Sequence, residues 1–171
     1  MDSKTLHKIG YGLYVISSKI GESYNGQIAN TVFQITSKPP TIAVSINKDN
    51  FTYSFINESK IFSVSILSKN TPMKFIGLFG FKSGRDIYKF KDTGYKIGMT
   101  GSPVVLDNSI GYMEAKVIDS LDVGTHVLFV GEVVDAQILN DDEPMTYAYY
   151  HEIKGGKSPK TAPTYIEENK S

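Results

Sequence analysis

The chain has 171 residues, 40% hydrophobic and 21% charged, which is ordinary globular composition and long enough for one substantial core. Its 18 basic and 18 acidic residues cancel, leaving no net field for polyanions, so nucleic acid is not expected as a main partner. The absence of cysteine removes disulfides, thiolate nucleophiles, iron-sulfur clusters and cysteine zinc sites, so any redox chemistry needs a bound organic cofactor.

The segment Met1-Asp2-Ser3-Lys4-Thr5 lacks the apolar stretch of a secretory signal, and no apolar run approaches the roughly 18 residues of a membrane span. A cytoplasmic protein without membrane association is expected. Histidines 7, 126 and 151 are too scattered for a metal motif.

From Asn25 to Pro40 a small polar run climbs into an alternating strand that ends at Pro39-Pro40. Within it Gln27, Ile28, Ala29, Asn30 and Thr31 combine small side chains with an amide that donates and accepts, which suits the edge of a planar ligand. Asn25-Gly26 equally fits a hairpin turn leading into a strand. Thr41 to Asn47 alternates, with Ile42, Val44 and Ile46 on one face.

The stretch Ser45, Ile46, Asn47, Lys48, Asp49, Asn50, Phe51, Thr52 reads as a strand running into a helix from Phe51 to about Glu58, capped by Asp49 or Asn50. Free amides and the positive dipole end at such a start suit a phosphate, with Lys48, Asn50 and Thr52 as candidates. A capped surface helix with a solvated lysine is the alternative. Ile61 to Leu67 is a second short strand, with Phe62, Val64 and Ile66 on its one buried face.

A second helix is predicted from Pro72 to Phe79. The loop beyond it concentrates glycines, Phe81, Ser83, Arg85 and Lys89. Arg85 and Lys89 suit a phosphate and an aromatic such as Phe81 suits a ring, although a basic surface loop with a local Arg85-Asp86 pair fits too.

Gly111 to Ser120 and Thr125 to Ile138 form the strongest predicted hairpin, turning at Asp122-Val123-Gly124. His126 opens its second strand, and a lone histidine there is more often structural. A third helix is expected from Pro144 to about Glu152, ended by Gly155-Gly156, with aromatics that pack by default. Gly155-Gly156-Lys157 lacks the frame of a phosphate loop, and no dinucleotide-binding glycine fingerprint occurs. Residues 157 to 165 cannot continue a helix. One domain over 1–165 with a polar, frayed tail at 166–171 is expected, and many short strands favour a barrel or sandwich.

The ordered segments Asn30-Thr31-Val32-Phe33-Gln34-Ile35-Thr36-Ser37 with Pro39-Pro40, the threonine at the Phe51 helix start, Ser83-Gly84-Arg85-Asp86 with Lys89-Phe90, and Glu143 to Lys157 resemble the flavin reductase-like FMN-binding split-barrel family. The branch is that of flavoredoxin and the flavin domain of high-molecular-weight rubredoxin, and the resemblance runs from Leu6 to Tyr165. It implies a mainly β Greek-key split barrel with a few short helices, binding FMN in preference to FAD, as a homodimer with flavin near the subunit interface.

The cofactor contacts it implies are Gln27, Ile28, Ala29, Asn30, Thr31, Ser45, Ile46, Asn47, Lys48, Asn50, Thr52, Phe81, Ser83, Arg85, Lys89 and His126, the last toward the flavin or a pyridine nucleotide. The implied activity is electron transfer from NADH or NADPH through FMN to free flavin or to a protein such as rubredoxin, which would be a separate partner. A non-catalytic FMN electron carrier and a cofactor-free interaction barrel are the alternatives. One departure from the family is Ser59-Lys60 before Ile61, where relatives usually have glycine; it puts the turn there in question.

Overall fold

The computed structural model describes residues 3–165, so the tail expected at 166–171 lies outside the described residues. Seven antiparallel strands form the main sheet: β1 (Tyr14–Ile20), β2 (Ser23–Ala29), β3 (Val32–Ser37), β4 (Pro40–Asn47), β5 (Ile61–Leu67), and two from the second half of the chain. A two-stranded sheet of β6 (Tyr95–Ile97) and β7 (Pro103–Val105) precedes those two, the long pair β8 (Ser109–Asp122) and β9 (His126–Ile138). The helices are α1 (Phe51–Ser59), α2 (Met73–Gly80) and α3 (Tyr147–Glu152).

Strand order in the main sheet is β2-β1-β5-β8-β9-β4-β3. The two edges, β2 and β3, are consecutive in sequence and joined by Asn30 and Thr31 alone. Laid flat, seven strands would separate those edges by about 29 Å, whereas that short connection reaches only about 10 Å. The sheet is therefore curled into a barrel split at one seam, a mainly β architecture.

Inside the curl, Ile16, Ile42, Val44, Ile46, Phe62, Val64 and Phe129 meet Ile56 of α1. A second core lies on the other side of β1 and β5, where Val15 and Leu67 meet Ile76 and Phe79 of α2, Phe90, Val105, Met145 and Tyr150. This second layer corrects the expectation of one buried face for β5. Ser63 and Ser65 are fully buried as well, and Ser63 Oγ donates to Pro103 O of β7 at 2.6 Å. Ala43 on β4 is likewise buried beside the expected Ile42, Val44 and Ile46.

The first two helices fall where the pattern places them. Asn50 is the residue before α1, but its side chain makes no capping bond. The third helix begins later than predicted, at Tyr147. Residues 144–146 are held extended instead: Ser68 bridges Pro144, Gly12 bridges Thr146, and Met145 N–H donates to Leu67 O at 2.8 Å. Thr146 then caps α3, its hydroxyl accepting from Tyr149 N–H at 3.1 Å.

The alternative turn at Asn25-Gly26 is not formed; both residues sit inside β2, and Gly21 at φ +54° makes the preceding reversal. The β8–β9 turn lies at 123–125, one residue beyond the expected Asp122-Val123-Gly124; β8 is longer than expected at both ends, and β9 starts one residue later, at His126. Lys60 occupies φ 57°, ψ 27°, and its N–H donates to Ile56 O to close α1. The turn that Ser59-Lys60 put in question is thus a left-handed one, a conformation that favours glycine, with a lysine in it.

Candidate functional site

One cleft opens at the seam, bounded by β2, the β4–α1 junction, the loop after α2, and the segment 157–163. Its cavity volume is about 280 Å³ and its mouth is open to solvent, close to the lower end of small-molecule sites.

Gln27, Ile28, Ala29, Asn30, Ser45, Asn47, Asn50, Thr52, Phe81, Ser83, Arg85 and Lys89 all line this cleft. The fold gathers them because edge strand β2 and the C-terminal end of β4 face the cleft while the α1 start and the 81–85 loop close its end. Four other predicted contacts are directed elsewhere. Ile46 is buried in the inner core, and Thr31 Oγ1 donates to Asn30 Oδ1 at 3.0 Å.

Lys48 is not among the residues that line the cleft; its Nζ pairs with Asp122 of the β8–β9 turn at 2.5 Å. That pairing, the largest cause, holds the Asp122 carboxyl below its usual range. His126 faces an adjoining hollow that shares Ser45, Asn47, Ala162 and Pro163 with the cleft. Its Nε2 lies 3.2 Å from Thr161 O and its Nδ1 2.9 Å from Thr125 Oγ1. A carbonyl only accepts, so Nε2 carries the proton in that contact.

The polar groups of the cleft are unevenly satisfied. The start of α1 has no side-chain cap; Tyr53 N–H donates to Asn50 O at 3.0 Å, and the amides of Phe51 and Thr52, two residues that line the cleft, are left without a capping side chain. Asn25 Nδ2 donates to Thr52 Oγ1 at 2.9 Å, both side chains being buried. Gln27 Oε1 is buried without a partner among the described residues.

Two cations serve the same end of the cleft. The Arg85 guanidinium lies 4.7 Å from the centre of the Phe51 ring, and its Nη1 donates to Asp49 O at 3.3 Å. Lys89 is 4% exposed and donates to Gly26 O at 2.8 Å and Phe79 O at 3.3 Å. Burial pushes its amine down to about 8. Among the described residues its ammonium makes no ion pair, leaving positive charge uncompensated in the wall.

Sequence reasoning missed Asn25, Phe51 and Gly84 as lining residues, and missed the strap of residues 157–163 that forms the outer wall. Asn30 Nδ2 donates to Thr164 Oγ1 at 2.9 Å, and Thr164 Oγ1 donates to Tyr147 Oη at 3.0 Å. Tyr147 also bonds Ser158 Oγ, and Tyr150 Oη donates to Lys157 O at 2.9 Å. The aromatic density of 147–150 was visible in the sequence; its purpose as an anchor for the strap was not.

A sequence model described as "Flavin reductase like domain" matches residues 6–155. The high molecular weight rubredoxin of Moorella thermoacetica is 53% identical over 165 residues, covering 96% of this chain and 72% of that protein. The ferric-chelate reductase (NAD(P)H) of Archaeoglobus fulgidus is 52% identical over 167 residues, covering 98% and 99% of the two chains. Among solved structures, the flavin reductase HpaC complexed with NADP+ superposes with a TM-score of 0.73 at 26% identity, over 84% of this chain and 89% of that one. Among the described residues no helix is long and apolar enough to cross a membrane. With a match that spans most of its length and relatives that share half of its residues, the chain belongs to the flavin reductase-like domain family and is an oxidoreductase of that kind.

Proposed function

We propose that the cleft holds FMN and that the protein passes electrons from NADH or NADPH through it to free flavin or to a redox partner protein. The observation that carries this reading is the pairing, in one cleft, of an uncapped helix start with two cations and an apolar, amide-edged floor. An anionic tail fits the first part and a planar ring the second.

The residues fit the group. Gln27 Oε1 is an acceptor without a donor, as the imide edge of an isoalloxazine supplies. The Lys89 ammonium and the Arg85 guanidinium suit a phosphate. Asn50 and Thr52 stand at the helix start, Ser83 in the loop facing them, and Ile28 and Ala29 on the floor. Bound there, FMN would supply the hydride and electron chemistry, while the chain orients it and excludes water.

His126 serves the donor and not the flavin tail in this reading. The hollow it faces adjoins the cleft along Ser45 and Asn47, where a nicotinamide nucleotide can dock transiently without a dinucleotide-binding domain. The acceptor is read as free flavin or a rubredoxin-type protein; the likeness to a protein named high molecular weight rubredoxin supports the latter. A homodimer is part of the proposal, supported by the exposed apolar side chains of Phe33, Ile35, Leu121 and Val123. We place the protein in the cytoplasm, where its reduced nicotinamide donor is produced.

The test is anaerobic stopped-flow mixing of the FMN-reconstituted protein with NADH and with NADPH. Bleaching of the visible flavin band by either supports the reductase. Binding of FMN without bleaching by either turns the reading to an electron carrier reduced by other proteins, and a colourless protein that refuses FMN removes the flavin altogether.

A further inference from the structure

We propose that Asn25 is a positioning residue that aims the Thr52 hydroxyl at the phosphate of the flavin, with Gly84 leaving the room it needs. The proposal rests on the flavin reading above and adds to it a residue that does not itself have to touch the phosphate.

Thr52 stands in the first turn of α1 and is 1% exposed, yet it is one of the residues that line the cleft. A hydroxyl has one hydrogen to give and lone pairs to receive. Helical hydroxyls commonly spend that hydrogen on a nearby carbonyl. Ser54 does so toward Phe51 O at 2.8 Å, and Ser59 toward Phe55 O at 2.7 Å.

Thr52 differs. Among the described residues its Oγ1 accepts from Asn25 Nδ2 at 2.9 Å and donates to nothing. The amide fills a lone pair of the oxygen and leaves its proton uncommitted, at a helix start whose amides also lack a cap. That makes Thr52 a donor toward the cleft, and an anion is what such a donor set receives.

Asn25 is held in this posture from behind. It is 3% exposed on β2, and the Oδ1 of its amide fills the space that a side chain on Gly84 would occupy. Any Cβ at 84 would stand 2.0 Å from that oxygen, a collision, and 3.2 Å from the Phe51 ring, a tight contact. The loop carrying Ser83 and Arg85 therefore approaches the α1 start only because residue 84 has no side chain and residue 25 has a short, flat one.

The experiment compares dissociation constants for FMN and for riboflavin, which lacks the phosphate, in the full chain. Asn25→Asp can only accept; it captures the Thr52 proton and adds negative charge. It is expected to weaken FMN by about 10- to 100-fold while riboflavin shifts by about twofold or less. Asn25→Ala, which only removes atoms, is expected to lower the FMN-to-riboflavin preference in the wild-type background and to leave it unchanged in a Thr52→Ala background.

Equal weakening of both ligands, or an Asn25→Ala effect that simply adds to that of Thr52→Ala, overturns the positioning role and leaves the flavin reading intact. A wild-type protein that binds riboflavin as well as FMN also overturns it, because no phosphate contact then exists to be aimed. A wild-type protein that binds neither overturns the flavin reading itself, and the role of Asn25 with it.

Discussion

The ammonium of Lys89 lies 2.8 Å from the carbonyl oxygen of Gly26 and forms no ion pair with a carboxylate among the described residues. A cation buried on two neutral carbonyls and 5.8 Å from the centre of the Phe79 ring, with no carboxylate beside it, is poorly compensated. The strand that ends in the floor of the cleft thus carries, one residue from Asn25, the anchor of an unneutralised charge.

This sets a pH dependence. The Lys89 amine is lowered from 10.5 to about 8 by burial, so between those values the unfolded chain holds more protons than the folded one. The penalty of the buried ammonium is full below about 8 and fades as the pH rises toward 10.5. An anion in the cleft favours the ammonium and reverses that preference. FMN binding just above pH 8 is expected to take up a proton and to weaken as the pH climbs further. Calorimetry in buffers of different ionisation heat measures the uptake, and Lys89→Met should abolish it.

Thr52→Ala should weaken FMN binding by about 1 to 3 kcal/mol, the range for a hydroxyl bonded to a charged oxygen. Titration of flavin fluorescence reads it directly. An unchanged dissociation constant takes Thr52 off the list of contacts.

Lys60→Gly should stabilise the protein by about 1 kcal/mol, because residue 60 sits at φ 57°, where a side chain is strained and glycine is not. Urea denaturation gives the difference. A loss of stability would mean that the lysine side chain contributes more than its backbone costs.

Gly131→Ala should destabilise by about 1 to 3 kcal/mol through overpacking. A Cβ there would stand 2.8 Å from both Ala115 Cβ and the Phe62 ring, and both neighbours are fully buried. Denaturant midpoints for this variant, with flavin binding as a check on the fold, test it.

Tyr147→Phe removes the hydroxyl that links Ser158 and Thr164. Losing about 1 kcal/mol or more of hydrogen bonding should raise amide exchange across 158–165 by about 5-fold. Exchange measured by mass spectrometry decides, and no change would show that Tyr150 and Asn30 hold the strap unaided.

Elements with one strong local pattern were legible in the sequence. The β-branched alternation of β4 and β5, the β8–β9 turn at Val123, and the starts of α1 and α2 are all stated locally. Where two layers bury a strand from both sides, alternation fails as a guide: Tyr14–Ile20 carries Ser17 and Ser18 in fully buried positions, and the pattern there is not apolar and polar by turns. Asn25-Gly26 has the composition of a turn, yet Gly26 sits in a strand, its missing Cβ leaving room for Ser17 Oγ.

Within the cleft, the residues that local chemistry marked were Gln27 to Asn30 on β2, those next to the α1 start, and Phe81, Ser83, Arg85 and Lys89 beyond α2. For Lys48, a lysine beside a helix start suits a phosphate, and nothing nearby in sequence announces Asp122 as its partner. The strap was hidden for the same reason. Ser158, Thr161 and Thr164 acquire meaning only against Tyr147, His126 and Asn30, which the fold and not the chain brings near.

The strand order has a consequence for the birth of the protein. On one side stand β2, β1 and β5, on the other β4 and β3, and the sheet joins the two groups solely through β8 and β9. A ribosome that has released the chain as far as Lys89 has already delivered most groups that face the cleft, but not the hairpin that fixes their spacing. Cofactor capture during synthesis must therefore wait until residue 138 has emerged, and a truncated product ending earlier carries the ligands of the site without the site.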